Sequence, residues 1–109
     1  MSRQHGRNYL FFDAPVALFF TIDRDMELGS WMDYGMFLQS IMLAARGFGL
    51  ETCAQAAFLK YHDTVMSKIG APPEQMFVSA MSLGYPDPDA PVNQYRTPRL
   101  AVNEFTVFL

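Results

Sequence analysis

The sequence predicts an α+β fold in which a small mixed or antiparallel sheet packs on a long apolar helix. Residues 16–22 and residues 75–83 are mostly apolar runs containing β-branched and aromatic side chains, as in strands that are buried on both faces. Residues 30–47 instead repeat apolar side chains at helical spacing. A chain of 109 residues, 50% of them hydrophobic, is long enough for one domain with a core and too short for two.

The beginning of the chain predicts one flexible segment and one buried strand. Residues 1–8 are polar and are expected to form a flexible N-terminus. Residues 16–22 read VALFFTI, which is the first predicted strand. The charged residues 23–29 follow it and predict a turn before the helix.

The predicted helix of residues 30–47 is apolar on nearly every side. Ser30 is suited to cap its first turn, and Gly47 or Gly49 is suited to a left-handed exit. A helix of this kind must be covered nearly all round. One copy of so short a chain has little other surface to cover it, so we expect the helix to pack against a second copy.

Four further segments complete the predicted organisation. Residues 58–69 repeat apolar side chains at helical spacing and precede Gly70, so they predict a second helix. The strand of residues 75–83 follows, and residues 84–99 predict a loop because they hold four prolines and two aspartates. Residues 102–109 end in EFTVFL and predict an extended strand that needs a sheet, which a second subunit would provide.

Composition excludes several classes of function. The net charge is −3 with acidic and basic residues interspersed, so no basic surface for nucleic acid or membrane is predicted. No uninterrupted apolar run has the length of a membrane span, and no signal-peptide cleavage site follows the basic start. The single cysteine, Cys53, excludes an internal disulfide and fits a reducing compartment. We therefore expect a soluble, cytoplasmic protein.

Two short segments contain the candidate binding residues. Arg96 and Arg99 flank Thr-Pro, and a stiff loop of this kind can present two guanidinium groups to a phosphate. Spacing alone favours two solvated surface arginines. Residues 53–57 read CAQAA, whose small side chains allow a flat ligand to approach the backbone, although spacing alone favours an ordinary buried turn. Cys53 is expected to be a buried structural thiol, and no set of residues has the spacing of a metal site.

In this order, GLETCAQAAF at residues 49–58 and MSLGYPDPDAPVNQYRTPR at residues 81–99 resemble the C-terminal half of the FMN-dependent nitroreductase family. The resemblance covers roughly residues 8–108. It implies an intertwined homodimer, with the long apolar helix in the interface and FMN in a cleft between subunits. It also implies two-electron transfer from NAD(P)H through FMN to a nitroaromatic or quinone-like acceptor.

The resemblance also implies which residues hold the cofactor. Backbone N–H groups at Ala54, Gln55 and Ala56 are expected at the edge of the flavin ring, and Arg99, with Arg96 second, is expected at the FMN phosphate. No catalytic acid or base is expected, because the flavin performs the hydride chemistry.

Family members also carry an N-terminal half with an Arg-x-Ser-x-Arg type phosphate clamp, which this sequence lacks. The predicted organisation is therefore a flexible segment 1–8, a truncated half-domain 9–99 and an extended C-terminal arm 100–109 reaching a partner subunit. We therefore expect this chain alone to bind FMN weakly or not at all. Two alternatives remain open, a non-catalytic dimerising remnant and one half of a split flavoenzyme.

Overall fold

The computed structural model describes residues 3–109 and contains a three-stranded antiparallel sheet with helices on both faces. The strands are β1 (Val16–Asp23), β2 (Glu51–Gln55) and β3 (Gln75–Gly84), in the order β1-β3-β2. The helices are α1 (Arg3–Arg7), α2 (Leu28–Gly47), α3 (His62–Ile69), α4 (Pro91–Gln94) and α5 (Val102–Phe105), with 3-10 segments at Asn8–Asp13 and Ala56–Tyr61. The predicted α+β class is confirmed.

The two strands predicted from apolar runs pair directly with each other. β1 and β3 are antiparallel over the whole of β1, from Val16 opposite Leu83 to Asp23 opposite Gln75. The interpretation of residues 53–57 as a turn was wrong for its first three residues, which belong to β2. This strand reads ETCAQ and has no apolar run, so only its pairing along β3 makes it extended.

The long helix begins two residues earlier than predicted. Glu27 is the residue before its first turn, and no side chain caps that end, so the prediction that Ser30 caps the helix was wrong. Ser30 lies inside the helix because α2 already starts at Leu28. At the other end, Gly49 has a φ of 75°, which confirms it as the left-handed exit.

The second predicted helix is divided into two parts. The 3-10 segment Ala56–Tyr61 leads into α3, which ends at Gly70 with a φ of 65° as predicted.

The predicted C-terminal strand is not formed in this chain, because residues 102–105 close the single helical turn α5. The Glu104 amide donates to the Ala101 carbonyl at 2.9 Å, and the Ala101 amide donates to the Glu104 carboxylate at 2.7 Å. Of the segment expected to be flexible, residues 1–2 lie outside the described residues and Arg3–Arg7 is helical.

A hydrophobic core cluster lies on the face of the sheet that α3 covers. It consists of Val65 and Met66 from α3 with Phe77 and Ala80 from β3. Phe77 and Ala80 are three residues apart, yet they share this face because the pairing register shifts between Phe20 and Thr21. The resulting β-bulge adds one residue to β3 and so turns the side chains of Phe77 and Ala80 to the same face, which strict alternation along the strand would not do.

The opposite face of the sheet is covered less completely by α2. The Tyr34 hydroxyl donates to the Thr21 carbonyl at 2.8 Å, and the Phe37 ring meets the Phe20 ring edge-on. Ala45 is the only buried residue of this 20-residue helix. Much of α2 therefore presents apolar side chains to solvent, including Leu28, Met32, Met36, Phe37 and Leu43. Between residues 3 and 109, no helix combines the length and apolarity needed to cross a bilayer.

Candidate functional site

The small-residue segment expected at the flavin lies at an edge of the sheet. β2 pairs with β3 on one side, and its other side is unpaired within the described part of the chain. Ala54 and Ala56 are exposed, the former in β2 and the latter in the 3-10 segment that follows. Methyl side chains here leave room for a flat ring to approach backbone groups at the edge.

Gln55 lies between these alanines, but its side chain turns into the protein. It is opposite Ala80 of β3 and is only 2% exposed. Its Nε2 donates to the Asn8 carbonyl at 2.8 Å and lies 3.4 Å from the Asn8 side-chain oxygen. Its Oε1 is buried and has no hydrogen-bond partner among the described residues. The side chain of Gln55 is therefore not available to a ligand at this edge, and the expected backbone contact stays a prediction.

The 3-10 segment Asn8–Asp13 runs along this site and was not recognised from the sequence. The Tyr9 hydroxyl donates to the Ala57 carbonyl at 3.3 Å. The Phe11 ring stacks on the Phe58 ring with centroids 4.8 Å apart and an interplanar angle of 21°. The aromatic sequence YLFF before the first strand was the available signal, because so many rings in sequence require a surface to pack on.

Arg96 and Arg99 are exposed and belong to a stretch without regular structure between α4 and α5. The Arg99 guanidinium donates to the Thr97 and Pro98 carbonyls, each at 3.2 Å, and to the Thr97 hydroxyl. Neither arginine forms an ion pair with a described residue. No hydrogen bond joins them to residues 54–56, so this chain keeps both cations available without assembling them into one pocket with the β2 edge.

Two side chains in this part of the sequence, Cys53 and Lys60, have raised pKa values. Cys53 is exposed, so the prediction of a buried thiol was wrong. Its sulfur is nevertheless desolvated by surrounding atoms, which raises the pKa of the thiol and keeps it protonated at neutral pH, unlike an activated nucleophile. The pKa of Lys60 is also raised, first by its hydrogen bond to Tyr61, and its Nζ lies 4.9 Å from the Tyr61 ring centroid.

Other sites on the described surface offer less. Residues 3–109 contain no group of three or more histidine, cysteine or acidic residues arranged for a metal ion. Two open grooves, of about 420 and 360 Å³, lie at the start of α2 and beside α3. Neither groove includes the expected flavin residues.

The residues present fit part of an FMN site. The exposed edge at Ala54 and Ala56 suits contact between backbone and a flat ring, and the exposed guanidinium groups of Arg96 and Arg99, neither in an ion pair with a described residue, suit a phosphate. The Gln55 side chain is buried on the α3 face, so it does not cover the backbone at that edge.

A three-stranded antiparallel sheet between a long apolar helix and a short one defines an α+β domain. The sequence model of the nitroreductase family matches residues 2–85, so the chain belongs to the nitroreductase family, and the predicted membership is confirmed.

Several nitroreductases are similar to this chain. The chain is 46% identical over 107 residues to the nitrobenzene nitroreductase of Ectopseudomonas oleovorans, covering 98% of this chain and 47% of the relative. It is 47% identical to the chloronitrobenzene nitroreductase of Comamonas testosteroni, with coverage of 94% and 45%. The solved FMN and NADPH-dependent nitroreductase NfnB from sphigopyxis sp. strain HMH has a TM-score of 0.92 and 37% identity, with coverage of 97% and 48%. The chain thus spans about half the length of the curated relatives it matches.

Proposed function

We propose that this chain forms part of an FMN-dependent oxidoreductase that passes two electrons from NAD(P)H to nitroaromatic or quinone-like acceptors. The observation that carries the proposal is the exposed small-residue edge of β2, in a chain whose relatives are described as nitroreductases of nitrobenzene and chloronitrobenzene. A cytoplasmic location is part of the proposal and is supported by the single cysteine, which has no partner for an internal disulfide.

The chain's own residues would bind and orient the cofactor. Backbone N–H groups at Ala54, Gln55 and Ala56 would hold the edge of the ring, while Arg99 and Arg96 would hold the phosphate. FMN, when bound, supplies the hydride chemistry, so this proposal assigns no acid or base to the protein. The exposed alanines would leave space for the ring to lie close to the backbone.

A homodimer belongs to the same proposal. The exposed apolar side chains of α2 need cover, and the C-terminal residues Leu100, Val102, Phe105, Val107 and Phe108 are exposed as well. We propose that α2 lies in the subunit interface and that residues 100–109 act as an arm reaching the partner subunit. Residues 9–99 would then be the half-domain to which this arm is attached.

The direct test is FMN titration of the purified 109-residue chain, followed by absorbance and flavin fluorescence. We expect weak binding, because the Arg-x-Ser-x-Arg type phosphate clamp is not among these 109 residues. Losing the two or three charge-assisted hydrogen bonds of such a clamp, each of about 1.5–3 kcal/mol, weakens FMN affinity by orders of magnitude. Arg99→Ala should weaken FMN binding further. Arg24→Ala is the control, because its guanidinium donates to the Pro73 carbonyl and belongs to none of the expected FMN contacts, so FMN affinity should not change. Equal FMN affinity in wild type and Arg99→Ala would refute the phosphate assignment.

A second candidate is one half of a split flavoenzyme, or a dimerising remnant without catalysis. It is favoured by coverage of about half of each relative together with arginines that are not assembled with the β2 edge. Co-expression with the N-terminal half of a relative, followed by flavin titration, separates these possibilities. A yellow complex that oxidises NADPH supports the split enzyme, and a colourless dimer supports the remnant.

A further inference from the structure

We propose that Gln55 is a positioning residue that fixes the flavin-edge backbone by tying it to the segment Asn8–Asp13. This inference rests on the proposed function for the identity of the ligand. It concerns the side chain of Gln55, whereas the expected cofactor contact concerns only the backbone.

The first tie is the buried hydrogen bond of Gln55. Its Nε2 donates to the Asn8 carbonyl at 2.8 Å, across 47 positions of sequence, and the side chain is almost fully buried. The side chain lies on the α3 face of the sheet, whereas the unpaired edge of β2 lies in the plane of the sheet. Gln55 therefore acts on the edge through the backbone it anchors.

The same segment makes a second tie just beyond β2. Tyr9 donates its hydroxyl to the Ala57 carbonyl, and Phe11 stacks on Phe58. Residues 55, 57 and 58 are thus held by residues 8, 9 and 11 in the same order. The two segments run side by side, and the exposed backbone at Ala56 lies between anchored neighbours.

The anchoring segment adopts a conformation that its contacts must maintain. Phe11, Phe12 and Asp13 have φ values of 51°, 54° and 65°, a left-handed region that costs energy for residues with a side chain. The Arg7 guanidinium lies 2.6 Å from the Asp13 carboxylate and closes this turn. Because the turn is strained, it persists only while ties such as that to Gln55 hold it in place.

Gln55→Met is a suitable test variant. Methionine has a similar length, so it fills the same buried space. It removes the donor to Asn8, and it also removes the buried Oε1 that has no partner, so the two effects on folding oppose each other. Tyr9→Phe is the second variant, because it removes the hydroxyl that donates to the Ala57 carbonyl and keeps the ring contacts. Tyr34→Phe is the control, since it removes a comparable bond to a backbone carbonyl on the other face.

The first measurement is amide hydrogen exchange in the flavin-free chain. We expect Gln55→Met to speed exchange by about tenfold at those amides of residues 55–58 that are hydrogen-bonded within the chain, the effect of losing one hydrogen bond of about the usual strength. Tyr9→Phe should raise exchange at the same amides by a smaller factor, and Tyr34→Phe should leave them unchanged. Unchanged exchange at 55–58 in Gln55→Met would overturn the proposal, as would an increase spread equally over all strands.

The second measurement is FMN affinity and the visible spectrum of bound FMN. Gln55→Met should weaken FMN binding by about tenfold and shift the spectrum, while Tyr34→Phe changes neither. If the wild type binds FMN and Gln55→Met binds it identically, the positioning role is wrong. If the wild type alone binds no FMN, the affinity comparison moves to the chain co-expressed with the N-terminal half of a relative. A complex that also binds no FMN would refute the proposed function, whereas the exchange experiment decides independently whether Gln55 fixes the edge.

Discussion

At the scale of single residues, His62 resolves a problem created by the bulge in β3. A bulge interrupts the regular ladder, and a buried amide at that point needs another acceptor. The Phe77 amide donates to Nε2 of His62 at 3.1 Å, and Phe77 is 1% exposed. Nε2 must therefore be unprotonated, with the ring proton on Nδ1, which lies 3.1 Å from the Asp63 carboxylate.

His62→Ala is expected to destabilise the protein by about 1–3 kcal/mol, because the buried Phe77 amide would lose its acceptor. Urea unfolding followed by circular dichroism measures this loss. His62→Gln is the matched variant, since its side-chain carbonyl can still accept, and it should recover part of the stability. Equal stability of His62→Ala and wild type would mean that the bulge needs no side-chain acceptor.

Tyr34 makes a pH dependence testable. Partial burial raises the pKa of its phenol above the ordinary value of 10.0. The folded state therefore holds the proton more tightly than the unfolded state, so this contribution to stability is full below about pH 10 and is lost as pH rises through the folded value. At neutral pH, Tyr34→Phe should lower the free energy of unfolding by about 0.5–1.5 kcal/mol, because it loses the hydrogen bond to the Thr21 carbonyl.

Unfolding free energies measured from pH 8 to 11 test this assignment. The wild type should lose stability more steeply than Tyr34→Phe above pH 10, so the difference between the two proteins narrows there. A constant difference across this range would show that Tyr34 does not titrate differently on folding.

At the scale of elements, the junction between β3 and the start of β1 depends on a glycine. A Cβ at position 84 would lie 2.8 Å from Cδ of Pro15, whose ring cannot move aside. Gly84→Ala should therefore cost about 1–3 kcal/mol, the usual effect of overpacking. Gly29→Ala, in the first turn of α2 with open space around it, should instead be neutral or stabilising by up to about 1 kcal/mol. Thermal melts of both variants give the comparison.

The elements also show what the sequence could predict. β1 and β3 were found because each is a long apolar run. The prediction that β1 is buried on both faces was wrong, because β1 lies at an edge of the sheet and only Phe20 and Ile22 of its eight residues are buried. β2 was missed because ETCAQ becomes a strand only by pairing with β3. The cap of α2 was misplaced because a serine suited to capping lies one turn inside a helix that starts without a side-chain cap.

The candidate site was likewise predictable from the sequence only in part. Small residues at 54 and 56 predicted an approachable backbone, and both are exposed. Gln55 and Asn8 meet across 47 residues, and no local pattern announces a contact between such distant positions. Whether Arg96 and Arg99 reach a phosphate depends on surfaces that this chain alone does not bring together, so that assignment stays a prediction.

At the scale of the whole molecule, the surplus of apolar surface is the dominant feature. Met32 and Met36 are 70% and 59% exposed and lie one helical turn apart on α2. The described C-terminal residues add a further group of exposed apolar side chains. Isolated surface hydrophobics are ordinary, but a continuous apolar helix face marks an interaction site. The proposed homodimer gives this face an occupant.

Placing Met32→Lys and Met36→Lys together tests that homodimer. Both side chains are exposed and lysine forms helices about as well as methionine, so the isolated chain should keep its fold and stability. Burying two ammonium groups in an apolar interface is costly, so association should weaken by at least about a hundredfold. Sedimentation velocity over a range of concentrations measures it.

The matched control adds the same two charges to exposed polar positions of α3, as Thr64→Lys with Ser67→Lys. This variant should associate like the wild type, because α3 turns its apolar residues into the core of its own subunit. A wild type that stays monomeric at micromolar concentration would refute the homodimer. Undiminished association of the Met32→Lys, Met36→Lys variant would instead show that the subunits meet through another surface, because the added charges would then remain in water.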